Sequence, residues 1–135
     1  MKDLIIVGTG GVGRETAQIV EEINKVNKEW NILGFIDDNK DLKGKIVNGY
    51  RVIGDRTYLN YFEKEVYVVI AIANYSVKKE LVEFLTNKNI KYATLIHPSV
   101  ILNDTIKIGE GCIVYPGVIM TVNIDVGNHV IISPK

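Results

Sequence analysis

Residues 4–15 have the sequence LIIVGTGGVGRE, in which an unbroken aliphatic run leads into a glycine-rich loop. Such a run is typical of a parallel strand that is covered on both faces. Gly8, Gly10 and Gly13 match the pattern G-x-G-x-x-G, which serves nucleotide binding when a strand precedes it and a helix follows it. The stretch therefore predicts the first strand, loop and helix of a nucleotide-binding sheet.

Short aliphatic runs and helical segments alternate through the first two thirds of the chain. The spacing of Ile19, Ile23 and Val26 indicates the apolar face of a helix after the glycine loop. Residues 66–73 are all apolar or aromatic and predict a buried strand, and Ser76 is the predicted N-cap of the helix after it. Strands that alternate with helices in this way predict a parallel sheet.

An acidic residue completes the nucleotide-binding pattern. Asp37 follows a predicted second strand at residues 32–36, where a carboxylate can meet ribose hydroxyls. The peptide N–H groups at the start of the first helix attract phosphate. The pattern does not separate a nicotinamide dinucleotide from a nucleotide-sugar, and a tight turn that binds nothing is the structural alternative.

After His97 and Pro98 the pattern changes to a six-residue repeat. One apolar register occupies positions 100, 106, 112, 118, 124 and 130, and a second lies two places later. A constant six-residue phase is typical of a parallel β-helix with three sides, in which one coil takes about eighteen residues. Short strands of a sandwich are the alternative, but such strands rarely keep a fixed phase.

These patterns predict an α/β fold in which a Rossmann-like parallel sheet is followed by about two coils of left-handed parallel β-helix. The last strand of the sheet is predicted at residues 91–96, so the domains are predicted at residues 1–96 and 97–135. The repeat continues without a polar terminal cap, which a solenoid needs. A longer parent protein with further coils is therefore expected.

Charge and composition exclude several classes of function. Sixteen basic and sixteen acidic residues balance and form no long block, so neither a nucleic-acid partner nor a membrane partner is expected. No apolar run approaches the ~20 residues of a membrane span. Cys112 is the single cysteine and predicts no disulfide, which fits a cytoplasmic location. Two histidines and one cysteine far apart predict no metal site.

Four motifs in order along the chain resemble those of a known family, the sialic-acid O-acetyltransferases and bacillosamine-type sugar N-acetyltransferases. The motifs are GTGGVGRE at 8–15, GFIDDN at 34–39, VVIAIAN at 68–74 and LIHPSV at 95–100, followed by the hexads. Each motif alone is weak evidence for this family, whereas the four motifs in this order are specific to it and cover the whole chain.

This resemblance implies acetyl transfer from acetyl-CoA to an amino or hydroxyl group of a nucleotide-sugar or sugar, in surface glycan biosynthesis. It also implies a homotrimer built through the β-helix, with the nucleotide of a UDP-sugar on the N-terminal domain. The glycine loop would contact phosphates and sugar, the acidic pair the uridine, and the end of the third strand the rest of the pocket. The expected substrate-binding residues are Gly8, Gly10, Gly11, Val12, Gly13, Asp37, Asp38, Ala73, Asn74 and Ser76.

The chain departs from the family pattern at three points. Val12 stands where many members have His, and Ala73 where many have Gly, so the sugar and the choice between O- and N-acetylation stay open. The family's catalytic His is expected beyond Lys135. No catalytic residue is therefore predicted within the chain, which is expected to be inactive by itself.

Other reactive side chains have ordinary structural interpretations. His97 is predicted to pack or hydrogen-bond at a turn, with contact to the sugar as the alternative, and His129 to occupy a solvated corner. Arg14 and Glu15 are either ligand contacts or solvated charges of the first helical turn. A noncatalytic nucleotide or nucleotide-sugar binding protein is the second hypothesis for function, and a nicotinamide-dependent enzyme is the third.

Overall fold

The computed structural model describes residues 1–134. The sheet strands are β1 (Lys2–Val7), β2 (Trp30–Ile36), β3 (Ile46–Val47), β4 (Tyr50–Gly54), β5 (Val66–Ile70) and β6 (Ile90–Tyr92). The helices are α1 (Gly11–Val26), α2 (Arg56–Asn60) and α3 (Tyr75–Phe84), with a short 3₁₀ helix at Lys40–Leu42. Within residues 1–134, no helix combines the length and the apolar character that a membrane crossing requires.

Six strands form one mixed sheet in the order β3-β4-β2-β1-β5-β6. Neighbouring strands run parallel, except that β3 and β4 form an antiparallel hairpin. Leu4, Ile5 and Ile6 of the central strand β1 are fully buried. Because successive side chains of a strand point to opposite faces, Leu4 and Ile6 join one core cluster and Ile5 joins the other. The predicted parallel sheet with both faces covered is confirmed.

Helix α1 packs on the sheet through a wide arc of its surface. At about 100° per residue, the buried residues Thr16 and Val20 lie near the middle of this arc, and Ile19 and Ile23 lie toward one edge. Val26, predicted on the same face, is 75% exposed. That prediction is wrong because the last residue of α1 falls just outside the buried arc.

Residues 66–73, predicted as one strand, are in β5 only as far as Ile70. The residues after Ile70 form the turn that leads into α3. Asn74 caps this helix, since its side-chain oxygen accepts a hydrogen bond from the Val77 N–H at 3.1 Å. The prediction that Ser76 is the cap is wrong because an N-cap precedes the first helical residue, and Ser76 is the second residue of α3.

Residues 91–96, predicted as the last strand of the sheet, belong to two short strands. β6 pairs with β5, whereas β7 (Leu95–Ile96) pairs with β9 (Ile113–Val114). Between them, the Ala93 N–H still donates to a β5 carbonyl, and the Thr94 hydroxyl donates to the Gly109 carbonyl. The sequence pattern did not reveal the change because apolar residues continue on both sides of it, at Tyr92, Ala93, Leu95 and Ile96. The domain boundary at residue 96 stays a prediction.

From residue 95 onward, short parallel strands stack at intervals of eighteen residues. Leu95 pairs with Ile113, and Ile113 pairs with Ile131 of β11 (Ile131–Ile132). β8 (Lys107–Ile108) pairs with β10 (Asp125–Val126), and Ile101 bridges to Ile119. The three sets of pairings begin six residues apart, as the repeat predicts. Residues 95–132 are called the coil segment below; its number of coils and its handedness stay predictions.

Residues from both predicted apolar registers lie in the interior of the coil segment. Val118 belongs to the first register, Val114 and Met120 belong to the second, and all three form one buried cluster. Cys112 is fully buried, as predicted for a small apolar side chain. Leu102 is 40% exposed because it lies in the first turn, where a neighbouring coil packs on one side only.

One side of the coil segment packs against α1. Leu95 and Ile113 are fully buried in the same core cluster as Ala17 and Val20 of that helix. These side chains point out of the coil, so the sheet and the coil segment share one core. This arrangement brings the coil segment close to the glycine loop, which lies at the start of α1.

Candidate nucleotide-binding site

The glycine loop lies at the carboxyl end of β1, where it joins the ends of β2 and β5. The Gly8 N–H donates to the Ile36 carbonyl, and the Ala71 N–H donates to the Val7 carbonyl, each at 2.8 Å. A cavity of about 120 Å³ lies between these strand ends and α3. Ligands of open parallel sheets bind beyond the carboxyl ends of the strands, so this edge is the candidate site.

Two of the loop glycines are required by packing, and two others leave space for a ligand. Gly8 has a φ of +107°, and a Cβ there would lie 2.9 Å from the Ala71 carbonyl oxygen. At Gly13 a Cβ would lie 1.9 Å from the Gly8 carbonyl oxygen. No atom lies within 4 Å of a Cβ built at Gly10 or Gly11. The first N–H groups of α1 have no side-chain cap, so an anion can approach them here.

Asp37 fixes the glycine loop from the end of β2. Its Oδ2 accepts hydrogen bonds from the Thr9 hydroxyl at 2.6 Å and from the Thr9 N–H at 3.2 Å, and its Oδ1 accepts one from the Asn39 N–H at 2.9 Å. The carboxylate therefore lies beside the loop, in the position that the sequence predicts for it. Thr9 was missed because the glycine pattern leaves that position variable.

Asp38, the second residue of the acidic pair, is held by Arg56 at the start of α2. Its Oδ1 accepts from the Arg56 N–H at 3.0 Å, and its Oδ2 accepts from the guanidinium at 2.7 and 2.8 Å. Arg56 also pairs with Glu80 of α3 at 2.7 Å. The hydrogen bond to Asp38 is the main cause of the raised pKa of Arg56. Asp38 thus joins β2 to two helices, and its contact with uridine stays a prediction.

The other predicted residues do not line the cavity at the loop. The Val12 side chain packs against the core that α1 shares with the coil segment. Asn74 is occupied in capping α3, and Ser76 is exposed. Ala73 lines a larger groove of about 540 Å³ between α3 and the coil segment. The smaller cavity remains the candidate site because the glycine loop and Asp37 meet there.

A second cavity, of about 390 Å³, adjoins Asp37 on the side of β4. Lys40, Lys43 and Tyr58 are among its lining residues. The carboxylates of Asp37 and Asp55 also line it, so this cavity offers charged and polar groups of both signs to a ligand. The sequence offered a signal that was missed, since both lysines follow the acidic pair within a few residues.

Both histidines make structural contacts. His97 Nε2 is hydrogen-bonded to the Glu22 carboxylate, and its Nδ1 accepts from the Ser99 N–H at 3.0 Å. His97 therefore hydrogen-bonds at a turn, as predicted. His129 lies at a corner with a φ of +57°, but its ring is packed edge-on to Tyr92 and burial lowers its pKa. The prediction of a solvated His129 is wrong because α3 and Tyr92 lie beside this corner.

Comparison with known proteins identifies the family. A family model described as the PglD N-terminal domain matches residues 3–85. The chain belongs to this family. Residues 3–85 include the glycine loop, both aspartates and all of α3, so the predicted resemblance is confirmed. Within residues 1–134, no group of three or more His, Cys, Asp or Glu side chains is placed to hold a metal ion.

Similar proteins are sugar N-acetyltransferases. GDP-perosamine N-acetyltransferase of Escherichia coli O157:H7 is 32% identical over 110 residues, which are 81% of this chain and 49% of that protein. UDP-N-acetylbacillosamine N-acetyltransferase of Bacillus subtilis (strain 168) is 32% identical over 119 residues, which are 84% of this chain and 51% of that protein. The chain spans about half the length of these curated relatives.

Two solved structures share the fold. The acetyltransferase domain of PglB from Neisseria gonorrhoeae FA1090, in complex with acetyl coenzyme A, superposes with a TM-score of 0.82 and 25% identity over 98% of this chain and 62% of that one. PerB from Caulobacter crescentus, in complex with CoA and GDP-perosamine, has a TM-score of 0.82 and 20% identity, covering 98% of this chain and 60% of that one.

Proposed function

We propose that this chain is the nucleotide-sugar-binding part of an acetyl-CoA-dependent acetyltransferase, which modifies an amino or hydroxyl group of a nucleotide-linked sugar in surface glycan biosynthesis. The observation that carries the proposal is the glycine loop held by Asp37 at the carboxyl edge of the sheet. The family membership and the names of the curated relatives support the same reaction.

Each group at this edge of the sheet has a proposed part of the ligand. The diphosphate binds at Gly10 and Gly11, where the backbone is open and the start of α1 attracts negative charge. The nucleoside extends toward Asp37 and the cavity with Lys40 and Lys43. The nucleotide is UDP or GDP, as the names of the two relatives indicate. A cytoplasmic location is part of this proposal.

Acetyl-CoA is the proposed co-substrate, because the relatives are acetyltransferases and the PglB domain is solved with it. Neither histidine of this chain is proposed as the catalytic base. His97 is bonded through both ring nitrogens, and His129 Nδ1 is buried beside Gly111. A base must reach the proton that it removes. We therefore expect the chain to bind nucleotide-sugar without transferring acetyl groups, and the catalytic His stays predicted outside this sequence.

A homotrimer through the coil segment is also proposed. Ile101 and Ile119 are paired on a different side of the coil from Leu95 and Ile113, and they are 60% and 67% exposed. Val122, nearby in the chain, is 59% exposed. Adjacent exposed apolar side chains on one face are typical of a contact with another protein.

Aspartate at both Ile101 and Ile119 is expected to weaken self-association by at least about a hundredfold, because the interface would have to bury two charges. Light scattering across a range of protein concentrations checks this. Lys88→Asp, at an exposed position outside the coil segment, is the control and should associate like the wild type. A wild-type chain that stays monomeric at high concentration would contradict the trimer.

Titration of the chain with UDP, GDP, NAD and acetyl-CoA, followed by thermal unfolding and calorimetry, tests the proposed function. A nucleotide at 100 times its dissociation constant should add about 2.7 kcal/mol to the free energy of unfolding. We expect UDP or GDP to stabilise the chain and NAD to have no effect. Stabilisation by NAD alone would overturn the proposal in favour of a nicotinamide site. If no nucleotide stabilises the chain, the proposed nucleotide site is wrong.

A further inference from the structure

The corner of the coil segment at His129 is bonded directly to α3. The Lys78 ammonium of α3 donates a hydrogen bond to the His129 carbonyl at 2.7 Å, across 51 positions of the chain. The His129 N–H in turn donates to the Glu110 carbonyl of the coil segment at 2.8 Å. The main chain of this one residue therefore holds a lysine of α3 and a neighbouring turn of the coil segment together.

The ring of His129 is packed in a site that gives one of its nitrogens no partner. The ring lies edge-on to Tyr92, with 4.5 Å between the ring centroids and 88° between the planes. Nδ1 is buried against Gly111, which has no room for a Cβ because the ring lies there. Among residues 1–134, Nδ1 is the only buried side-chain nitrogen or oxygen without a hydrogen bond.

This site fits a neutral imidazole and not a charged one. In the imidazolium form both ring nitrogens carry a proton. Nδ1 of His129 would then be a buried, charged donor, and none of the described residues offers it an acceptor. A buried charged group without a partner is costly. The ring must therefore leave its place when it takes up a proton.

Charged and titratable groups surround the corner: Lys78, Lys79 and Glu83 of α3, Tyr92 of β6, and Glu110 and Cys112 of the coil segment. Burial is the largest cause of the lowered pKa of His129. The positive charge of Lys78 lowers this pKa further, whereas the carboxylate of Glu110 opposes the change in part. Burial and the neighbouring lysine together keep the ring neutral.

We propose that the His129 corner is a pH-sensitive joint, in which the neutral ring keeps α3 attached to the coil segment and protonation of the ring releases it. The groove of about 540 Å³ between α3 and the coil segment borders His129, so a charged ring can reach water by turning into it. That movement removes the packing on Tyr92 and shifts the carbonyl that Lys78 binds. This inference goes beyond the proposed function and does not depend on it.

The direction of the pH dependence follows from the lowered pKa. The unfolded chain takes up a proton on this ring at about pH 6.5, before the folded chain does. The contribution of His129 to stability is therefore complete above about pH 6.5, and it is lost as the pH falls from there through the lower pKa of the folded protein.

NMR titration of the ring protons tests the first half of this inference. The chain has two histidines, so His97 and His129 can be assigned with one variant. We expect His129 to titrate below pH 6.5 in the wild type. Lys78→Met should move this titration to higher pH, and Lys79→Met, at the next residue of α3 and in the same groove, should not. A His129 ring that titrates at or above pH 6.5, or that ignores Lys78→Met, would overturn the inference.

Urea denaturation at pH 7.5 and pH 5.5 compares the wild type with His129→Asn. Asparagine tolerates the left-handed backbone of this corner, where φ is +57°, and does not titrate. All other titrating side chains are common to both proteins. On acidification, the unfolding equilibrium constant of the wild type should rise severalfold more than that of His129→Asn, up to a limit of about tenfold set by the ordinary pKa of histidine. An equal rise in both proteins would count against the joint.

Hydrogen exchange at the same two pH values, corrected for intrinsic exchange rates, tests whether α3 is released. In the wild type, peptides from α3 and from the His129 corner should lose protection at pH 5.5, while peptides from β1 keep theirs. In His129→Asn, the α3 peptides should be equally protected at both pH values. A uniform loss of protection along the wild-type chain would indicate global unfolding and would overturn the inference, whatever nucleotide the chain binds.

Discussion

Gly13→Ala is expected to lower the free energy of unfolding by about 3 kcal/mol or more and to abolish nucleotide binding. A Cβ at Gly13 would lie 1.9 Å from the Gly8 carbonyl oxygen and 2.7 Å from its carbon. Both atoms belong to the main chain at the end of β1, so they cannot turn aside as a flexible side chain would. Helix α1 must move away from the sheet, and the loop between them loses its shape.

Urea denaturation measures the change in stability, and titration with UDP and GDP measures the change in binding. Gly11→Ala is the matched control for stability because no atom lies within 4 Å of a Cβ built there. It should fold with at least the stability of the wild type, since alanine favours the first turn of a helix over glycine by up to about 1 kcal/mol. Wild-type stability in Gly13→Ala would contradict the close packing of this loop.

Asp37→Ala is expected to weaken nucleotide binding by at least about thirtyfold, the equivalent of about 2 kcal/mol. The carboxylate accepts three hydrogen bonds, and two of them hold Thr9 inside the glycine loop. Without them the loop loses its attachment to β2, and the ligand loses the acidic group proposed for its ribose. Isothermal titration with UDP and GDP gives the affinity, and circular dichroism shows whether the fold persists.

Asp38→Ala is the comparison that separates the two aspartates. The structure engages Asp38 with Arg56, and through it with Glu80, so its removal should lower thermal stability and leave nucleotide affinity within about threefold of the wild type. The family resemblance instead implies that both aspartates face the uridine. Equal losses of affinity in the two variants would support the motif and contradict the purely structural role of Asp38.

The glycine loop could be predicted because its determinants are neighbours in the chain. A buried strand, four glycines and a helix within residues 2–26 leave the backbone few arrangements. The coil segment was predictable for a related reason. Each side takes six residues and three sides make one coil, so the repeat predicts pairing at eighteen-residue intervals.

Predictions about individual side chains failed where position within an element mattered. Ser76 has the chemistry of a cap, but Asn74 occupies the position before the helix. Val26 has the spacing of a core residue, but the buried arc of α1 is centred on Thr16 and Val20. Propensity and spacing describe a helix as if it were isolated, whereas the neighbouring sheet sets where the helix starts and which arc is covered.

The sequence alone predicts the alternation of strands and helices, the six-residue repeat, the glycine loop and the acid beside it. Each of these depends on residues that are close together in the chain or on a regular period. Tertiary structure added the partners of the charged side chains. Asp38 meets Arg56 18 positions away, and Glu15 meets Tyr115 100 positions away. Such pairs depend on how α1, α2 and the coil segment pack on the sheet, and a charge accepts any suitable partner that packing brings near. The geometry of the site therefore comes from contacts that no local pattern specifies.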